Sequence, residues 1–430
     1  MVIPRESYIK ELEERRFNGQ VKVITGLRRV GKSFLLFTLY CAHLERSGVP
    51  KDQIITINLE DEAYSSLRNA TELSTYIRSK ITDSKKEYYV LLDEIQYAIA
   101  REEMKDPRSS LQLYGVLNGL LTLGNVDVYV TGSNAKFLSK DVMTEFRGRG
   151  DVLHIHPLSF KEVYEYNGGD IATQYEMYAL YGGLPQAVLR STDEQKIRYL
   201  TTLFDEVYFK DIIERYDIRF GDVLGQITNL LCSSIGSRTN AHTIANTLKS
   251  VQKRTIASET VASYIAQLLD SFLFLEAKRY DVKGRLYFSY PNKYYATDVG
   301  LRNARLAFRQ QEEGHIMETV VYNELIRRTF SVDVGVVTIR EKDKNDVLRQ
   351  RQLEIDFVAN KGSLRYYIQV ATSLDQPDVR KRELRPFFQV KDSFKKIMIT
   401  KTLAPPNYDE DGILHMGLYH FLLNEDALSH

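Results

Sequence analysis

A glycine, four intervening residues, then glycine, lysine and serine put phosphate chemistry at one place in this chain: Gly26-Leu27-Arg28-Arg29-Val30-Gly31-Lys32-Ser33. The spacing G-x-x-x-x-G-K-[ST] lets backbone N–H groups close around phosphates, while the following helix points its positive dipole end at them. Lys32 would bridge β- and γ-phosphates, and the Ser33 hydroxyl would ligate Mg²⁺. The expected nucleotide contacts are Gly26, Arg28, Arg29, Val30, Gly31, Lys32, Ser33 and Phe34. A mere turn would not need the flanking pattern. The run follows the apolar segment Val21 to Thr25 and opens a stretch where Leu35, Leu39 and Ala42 recur at three- and four-residue spacing.

A second element, Tyr88-Tyr89-Val90-Leu91-Leu92-Asp93-Glu94, is an apolar strand ending in two carboxylates. It puts acid at the carboxyl end of a sheet, where open α/β folds take their ligands. Asp93 is expected to hold Mg²⁺, directly or through water, and Glu94 to orient or deprotonate the attacking water. Many surface strands end in acids, so this pair draws its meaning from the loop upstream. A third run, Val126 to Asn134, ends Thr131-Gly132-Ser133-Asn134. A short polar side chain there reaches a γ-phosphate or the attacking water, or else Asn134 caps the following helix. Residue types leave both open. Arg147 and Arg149 follow, as a transition-state cation or as solvated charge.

The elements that must position these groups are legible in the apolar runs. Val21–Thr25, Ile54–Leu59, Tyr88–Leu92, Val126–Thr131 and Val152–His156 read as strands, with a helix over Phe34–Arg46. Strands separated by helices imply a parallel sheet with helices on both faces. Pro157 to Tyr216 reads as mostly helical, redirected at Gly182-Gly183-Leu184-Pro185. Helices at Asp222–Ser234, Thr239–Leu248 and Ser258–Ser271 precede a hairpin of Phe272–Tyr280 and Leu286–Ala296, the order of a winged helix. A helix His315–Phe330 then leads strands at Val334–Arg340, Gln352–Ala359, Tyr366–Ala371 and Lys396–Thr400, with a helix over Asp378–Phe388.

Composition sets limits. A chain of 430 residues exceeds one core and suggests two to four domains. No window approaches the roughly 18–20 apolar residues of a membrane span, and Met1 to Arg16 lacks the apolar core of a secretory signal. Cys41 and Cys232 make no metal-ligand spacing and read as small buried hydrophobes in a reducing compartment, so cytoplasm is expected. The formal net charge of +1 supplies no global pull toward nucleic acid.

Together the loop, the Asp-Glu strand and the strand ending in Ser-Asn resemble the AAA-type ATPases. Gly26 to Ser33, Leu92-Asp93-Glu94-Ile95-Gln96 and Thr131-Gly132-Ser133-Asn134 look more narrowly like prokaryotic ATP-binding proteins with a C-terminal domain of unknown function. Tyr181-Gly182-Gly183-Leu184-Pro185 and Lys210-Asp211-Ile212-Ile213-Glu214-Arg215-Tyr216 fit the same pattern. The resemblance covers nearly the whole chain and is most specific at the ATP motifs. It implies an α/β fold: a P-loop AAA-type three-layer core with a five-stranded parallel sheet (1–156), a helical lid (157–221), a winged helix (222–300) and a small α/β restriction-endonuclease-like domain (301–430). It also implies ATP and Mg²⁺ as cofactors and Asn134 as the sensing residue, and it favours Arg149 as the catalytic arginine.

In the winged-helix segment the third helix offers Glu259, Ser263 and Gln267 outward, a poor surface for phosphates. Its flanks carry Lys249, Lys253 and Arg254, and the hairpin Lys278, Arg279, Lys283 and Arg285 with Tyr280 and Tyr287. Such a ribbon could follow a duplex backbone, or form an ordinary solvated rim.

Further on, Glu354-Ile355-Asp356-Phe357-Val358 and Tyr366-Tyr367-Ile368-Gln369-Val370-Ala371 resemble the endonuclease-like arrangement of an acid followed by E-x-K. Alternation puts Glu354 and Asp356 on one strand face, and of Glu318 and Glu324 at most one can join them. Gln369 and Ala371 stand where Glu and Lys are needed, so cleavage is not expected, and Lys381 or Arg382 could replace the missing charge. The expectation is a nucleotide-driven switch acting on a macromolecular partner, DNA or protein, with a homo-oligomer as one form it could take. An ATP-driven nuclease is the alternative.

Overall fold

Each apolar run expected in the first third forms a strand: β1 (Val21–Gly26), β2 (Ile54–Asn58), β3 (Tyr88–Asp93), β4 (Val126–Thr131) and β5 (Gly150–Ile155). The structure is a computed structural model describing residues 2–99, 112–132, 148–253, 255–284, 286–309, 312–342 and 347–429. Asn134, Ser133, Arg147, Arg254 and Arg285 lie outside the described residues. The five strands pair in parallel in the order β2-β3-β4-β1-β5. β1, β3 and β4 are buried along their whole length, as parallel strands covered on both faces must be.

One face packs Val23, Val90, Leu92, Val128 and Val130 against the helices Ala70–Lys80 and Gln112–Leu121. The other face meets the helix over 32–46, whose Tyr40 reaches Tyr129. Its middle, Leu35–Tyr40, is wound as π-helix. Beside it lies a helix absent from the sequence reading, Glu6–Glu14, with Tyr8 and Leu12 buried.

This second face holds polar groups that strand patterning conceals. Lys22 and Asp127 form a fully buried ion pair across β1 and β4. The Tyr129 hydroxyl and the Phe17 N–H donate to the second Asp127 oxygen at 2.7 and 3.1 Å. Burial pulls the Lys22 ammonium below its ordinary pKa. A lone charge there would be costly, but the pair with its extra donors is tolerated.

The chain divides into two compact units, Met1–His156 and Pro157–His430. In the second, helices Gly221–Ser233, Ala241–Gln252 and Ser258–Asp270 precede the ribbon β7 (Phe274–Asp281) and β8 (Leu286–Ala296), with the short β6 (Arg238–Thr239) pairing β8. β9 (Ser331–Lys342), β10 (Leu348–Lys361), β11 (Leu364–Ala371), β12 (Lys395–Thr400), β13 (Asn407–Tyr408) and β14 (Leu414–Gly417) follow. β7 pairs β9 in parallel, so ribbon and later strands share one nine-stranded sheet. Periodicity within a segment carries no information about such pairing.

The glycine run at 182–183 has a structural cause. Gly182 has φ +72°, and a Cβ there would overlap the Asp298 carboxylate. That carboxylate accepts from the N–H groups of Gly183 at 2.7 Å and Leu301 at 3.0 Å, with those of Gly300 and Leu184 also donating. Burial outweighs these donors and pushes the Asp298 pKa up to about 6. Asp298→Ala strands several buried N–H groups, each costing ~1–3 kcal/mol. We expect its unfolding temperature to fall clearly at pH 7. The folded protein takes the Asp298 proton first as pH drops from 6 toward 4, so this group favours the fold increasingly with acid. The variant loses that dependence, which melting curves across this range would read.

Candidate functional site

β1 and β3 end at the same edge of the parallel sheet, with β4 between them. Gly26, last in β1, has φ +137°, and a Cβ there would overlap the backbone carbonyl of Ile155 on β5. Only glycine lets the loop leave the sheet so close to its neighbour. The chain turns through Arg29 (φ +63°) and Gly31 (φ +98°) into the helix over 32–46. The buried Lys32 ammonium lies within the loop and donates to the carbonyls of Gly26 at 3.0 Å and Leu27 at 3.1 Å. Val30 is buried, Arg28 is half-buried, and Arg29, Ser33 and Phe34 are exposed.

Across β4, the nearly buried Asp93 carboxylate is hydrogen-bonded by the hydroxyls of Thr131 and Ser33. Burial pushes its pKa up; the two hydroxyls and the Lys32 charge oppose that, while Glu94 adds to it. Loop serine and strand aspartate therefore meet. These are two hard oxygen donors, a pair whose chemistry would suit Mg²⁺. Among the described residues no group of three or more His, Cys, Asp or Glu is placed to hold a metal by itself.

Glu94 follows in the left-handed region, φ +52°, its N–H 3.4 Å from the Thr131 hydroxyl and its carboxylate accepting from Gln96. A non-glycine residue there costs roughly 1–2 kcal/mol. The turn directs the side chain off the strand line at the sheet's carboxyl edge.

Arg149 is not brought to this site. The Val21 N–H donates to its carbonyl at 2.8 Å, at the amino end of β1. The loop leaves the other end, about 17 Å away at ~3.3 Å per residue. Arg149, expected as the catalytic arginine, thus lies at the opposite end of β1 from this chain's own loop. His154 was missed. It sits beside Thr25 in the β1–β5 register, 3.1 Å from its hydroxyl. Burial and the Lys32 charge push its pKa down to about 4, so it stays neutral at pH 7. Only the strand register, unreadable from sequence, places it there.

In the second unit, Glu354 and Asp356 do gather with Glu318, but around a lysine. The buried Lys293 of β8 lies 2.8 Å from Glu318 and 2.9 Å from Glu354. Tyr295 donates to Glu318 at 2.6 Å, and Arg238 holds the other Glu354 oxygen at 2.6 Å. Asp356 accepts from the Val370 N–H at 2.9 Å, and burial, then the Glu318 charge, raises its pKa well above the carboxylate range. The Gln369 amide takes the Asp356 N–H and donates to Glu383. Glu324 turns away to Arg327 and Arg328. The positive charge thus comes from Lys293, while Lys381 and Arg382 are exposed on their helix.

Comparison with known proteins places this geometry. Residues 18–164 match the AAA domain family, and residues 172–312 match a domain of unknown function. An uncharacterized protein of Haemophilus influenzae is 31% identical over 404 residues, covering 93% of each chain. An uncharacterized protein of Methanocaldococcus jannaschii is 26% identical over 390 residues, spanning 88% of this chain and 80% of its own. Among solved structures, the Aeropyrum pernix ORC1 protein in complex with DNA aligns at 14% identity and TM-score 0.29, over 71% of this chain and 93% of that one. Cdc6p from Pyrobaculum aerophilum aligns at 11% identity and TM-score 0.30, over 74% and 94%.

Proposed function

Because this chain belongs to the same family as the Haemophilus influenzae protein and carries an AAA domain, we propose that it is a Mg²⁺-dependent ATPase working as a nucleotide-driven switch on a macromolecular partner. One observation carries the reading. Lys32, Ser33, Asp93 and Thr131 converge at the carboxyl edge of a parallel sheet, where a helix begins. The loop N–H groups and Lys32 bind the triphosphate, the ammonium exchanging its two loop carbonyls for phosphate oxygens. Ser33 and Asp93 hold Mg²⁺, which when bound neutralises charge on the phosphates. Glu94 orients the attacking water and accepts its proton. Asn134 is proposed as the group that senses the γ-phosphate.

Lys32→Ala tests the site. A phosphate–ammonium contact of ~3 kcal/mol corresponds to about 100-fold in affinity, so ATP binding followed by calorimetry is expected to fall by at least that much. Unchanged affinity would sink the assignment. The proposed location is the cytoplasm, consistent with the free thiols Cys41 and Cys232. Among the described residues no helix is long and apolar enough to cross a membrane.

The nuclease alternative finds less support. A metal at Asp356 would need carboxylates open to it, yet Lys293 already takes Glu318 and Glu354. We read the segment as an endonuclease-like scaffold without cleavage activity.

A further inference from the structure

The ribbon strands and the C-terminal strands share one sheet face that is buried around Arg279 and Lys293 and opens to solvent toward Arg340. Directly opposite residues share a sheet face. The register therefore puts Arg238 with Lys293, Arg279 with Phe288, and Arg340 with Gln350 on a common face that continues to Thr338 and Gln352. Arg279 donates to Gln352 at 2.7 Å, which ties the two halves of the face together.

Two features of this face call for an anion. Arg279 is 4% exposed, its guanidinium makes no ion pair among the described residues, and its Nε has no hydrogen-bond partner. Burial, then the nearby Arg238, hold its pKa below the ordinary arginine value, and the Glu354 charge only partly opposes them. A buried cation compensated only by a carboxylate beyond ion-pair distance and by the Phe288 ring, 5.0 Å away, retains a cost that an anion would relieve. Among the described residues the nearby carboxylates Glu354 and Asp281 are engaged already, Glu354 by Lys293 and Arg238, and Asp281 by the N–H groups of Lys283 and Gly284 in its own turn.

The second feature is a projecting arm. β7 pairs β9 only as far as Val336, and β11 pairs β10 only from Phe357 onward. Residues 338–342 and 348–352 extend beyond both neighbours as a two-stranded ribbon. Ile339 and Leu353 on its other face pack with Leu384 and Phe387 of the helix Pro377–Phe388. On the open face Arg340, Lys342, Gln350 and Gln352 are exposed.

We infer that this face binds the sugar-phosphate backbone of a nucleic acid, with Arg340 and Lys342 on phosphates, the glutamine amides on sugar and phosphate oxygens, and the Arg279 charge supporting them from beneath. Spaced cations and amides on a flat, extended strip suit a repeating polyanion. The inference rests on the switch reading only in naming this nucleic acid as the switch's partner.

Fluorescence anisotropy of the full chain with labelled single-stranded and duplex oligonucleotides, from low to moderate salt, tests it. Arg340→Ala with Lys342→Ala should weaken binding about tenfold or more and reduce the log–log salt slope by roughly 1.4–1.8, two phosphate contacts' worth. Arg380→Ala with Arg382→Ala, on the opposite face, should leave affinity unchanged. Wild-type affinity in the Arg340/Lys342 variant overturns the proposal. So does polyglutamate binding as tightly as the oligonucleotides, since the face would then fit an acidic protein. Lys32→Ala separates the two readings: assayed without nucleotide it should bind oligonucleotide like wild type, while calorimetry shows ATP lost, so a failure of the nucleotide site leaves this surface standing.

Discussion

Glu94→Gln is expected to bind ATP within about twofold of wild type while its phosphate release falls by 10²–10⁴, the usual contribution of a positioned general base. That range corresponds to roughly 3–5 kcal/mol of transition-state stabilisation. The amide keeps the length and shape of the side chain, and its oxygen can still accept from Gln96. It cannot take a proton from water. Its backbone sits at φ +52°, a small cost at the point where the strand ends and the chain turns at the sheet's carboxyl edge. Titration of ATP beside a phosphate-release assay separates the two effects. Wild-type turnover would remove Glu94 from the chemistry, and lost binding would make it a structural residue of the loop. The trapped ATP-bound variant should also hold its macromolecular partner longest, which makes it the bait of choice.

How far the sequence foretells this molecule depends on the range of the interaction. The loop is readable because its chemistry is local: Gly26, Gly31 and Lys32 are dictated within a single turn of chain. β1, β3 and β4 are readable because burial on both faces leaves largely apolar runs, while β2 and β5 show through their alternation. Helices and ribbons past residue 220 emerge within a few residues of their expected limits. What cannot be read is pairing. Lys22 and Asp127 interrupt two apolar strands, and only the β1–β4 register makes them partners. Gly182 signals a turn locally, but its reason is Asp298, far along the chain. Arg279 and Tyr280 look like surface residues of a basic hairpin, yet both are buried because β7 lies against β9. His154 and Arg149 both belong to the β5 approach, and register alone sends one toward Lys32 and leaves the other at the far end of β1.

Lys293 is the strongest case, and it yields the second large effect. Three carboxylates, Glu318, Glu354 and Asp356, surround one buried ammonium. Those neighbours raise the Lys293 pKa despite its burial, and the same cation helps keep Glu354 below the ordinary glutamate range. Lys293→Met preserves the volume and removes the charge. Breaking one partner out of a buried ionic set costs about 3–5 kcal/mol, a fall on the order of 10 °C in unfolding temperature for a unit of this size. The sign of the pH dependence follows from linkage. Without the ammonium, the clustered carboxylates bind protons more tightly folded than unfolded, so the variant gains stability as pH falls from 7 toward 4. Wild type gains less over that interval, because of the three carboxylates only Asp356 has a clearly raised pKa in it, and below the ordinary glutamate pKa it also loses its Glu354 contribution. The two melting temperatures must therefore converge in acid. A second substitution, Glu318→Gln, should restore part of the loss at pH 7 by removing one of the opposed charges. If Lys293→Met melts like wild type at pH 7, or the gap widens with acid, the ammonium is not the cation that holds this cluster together.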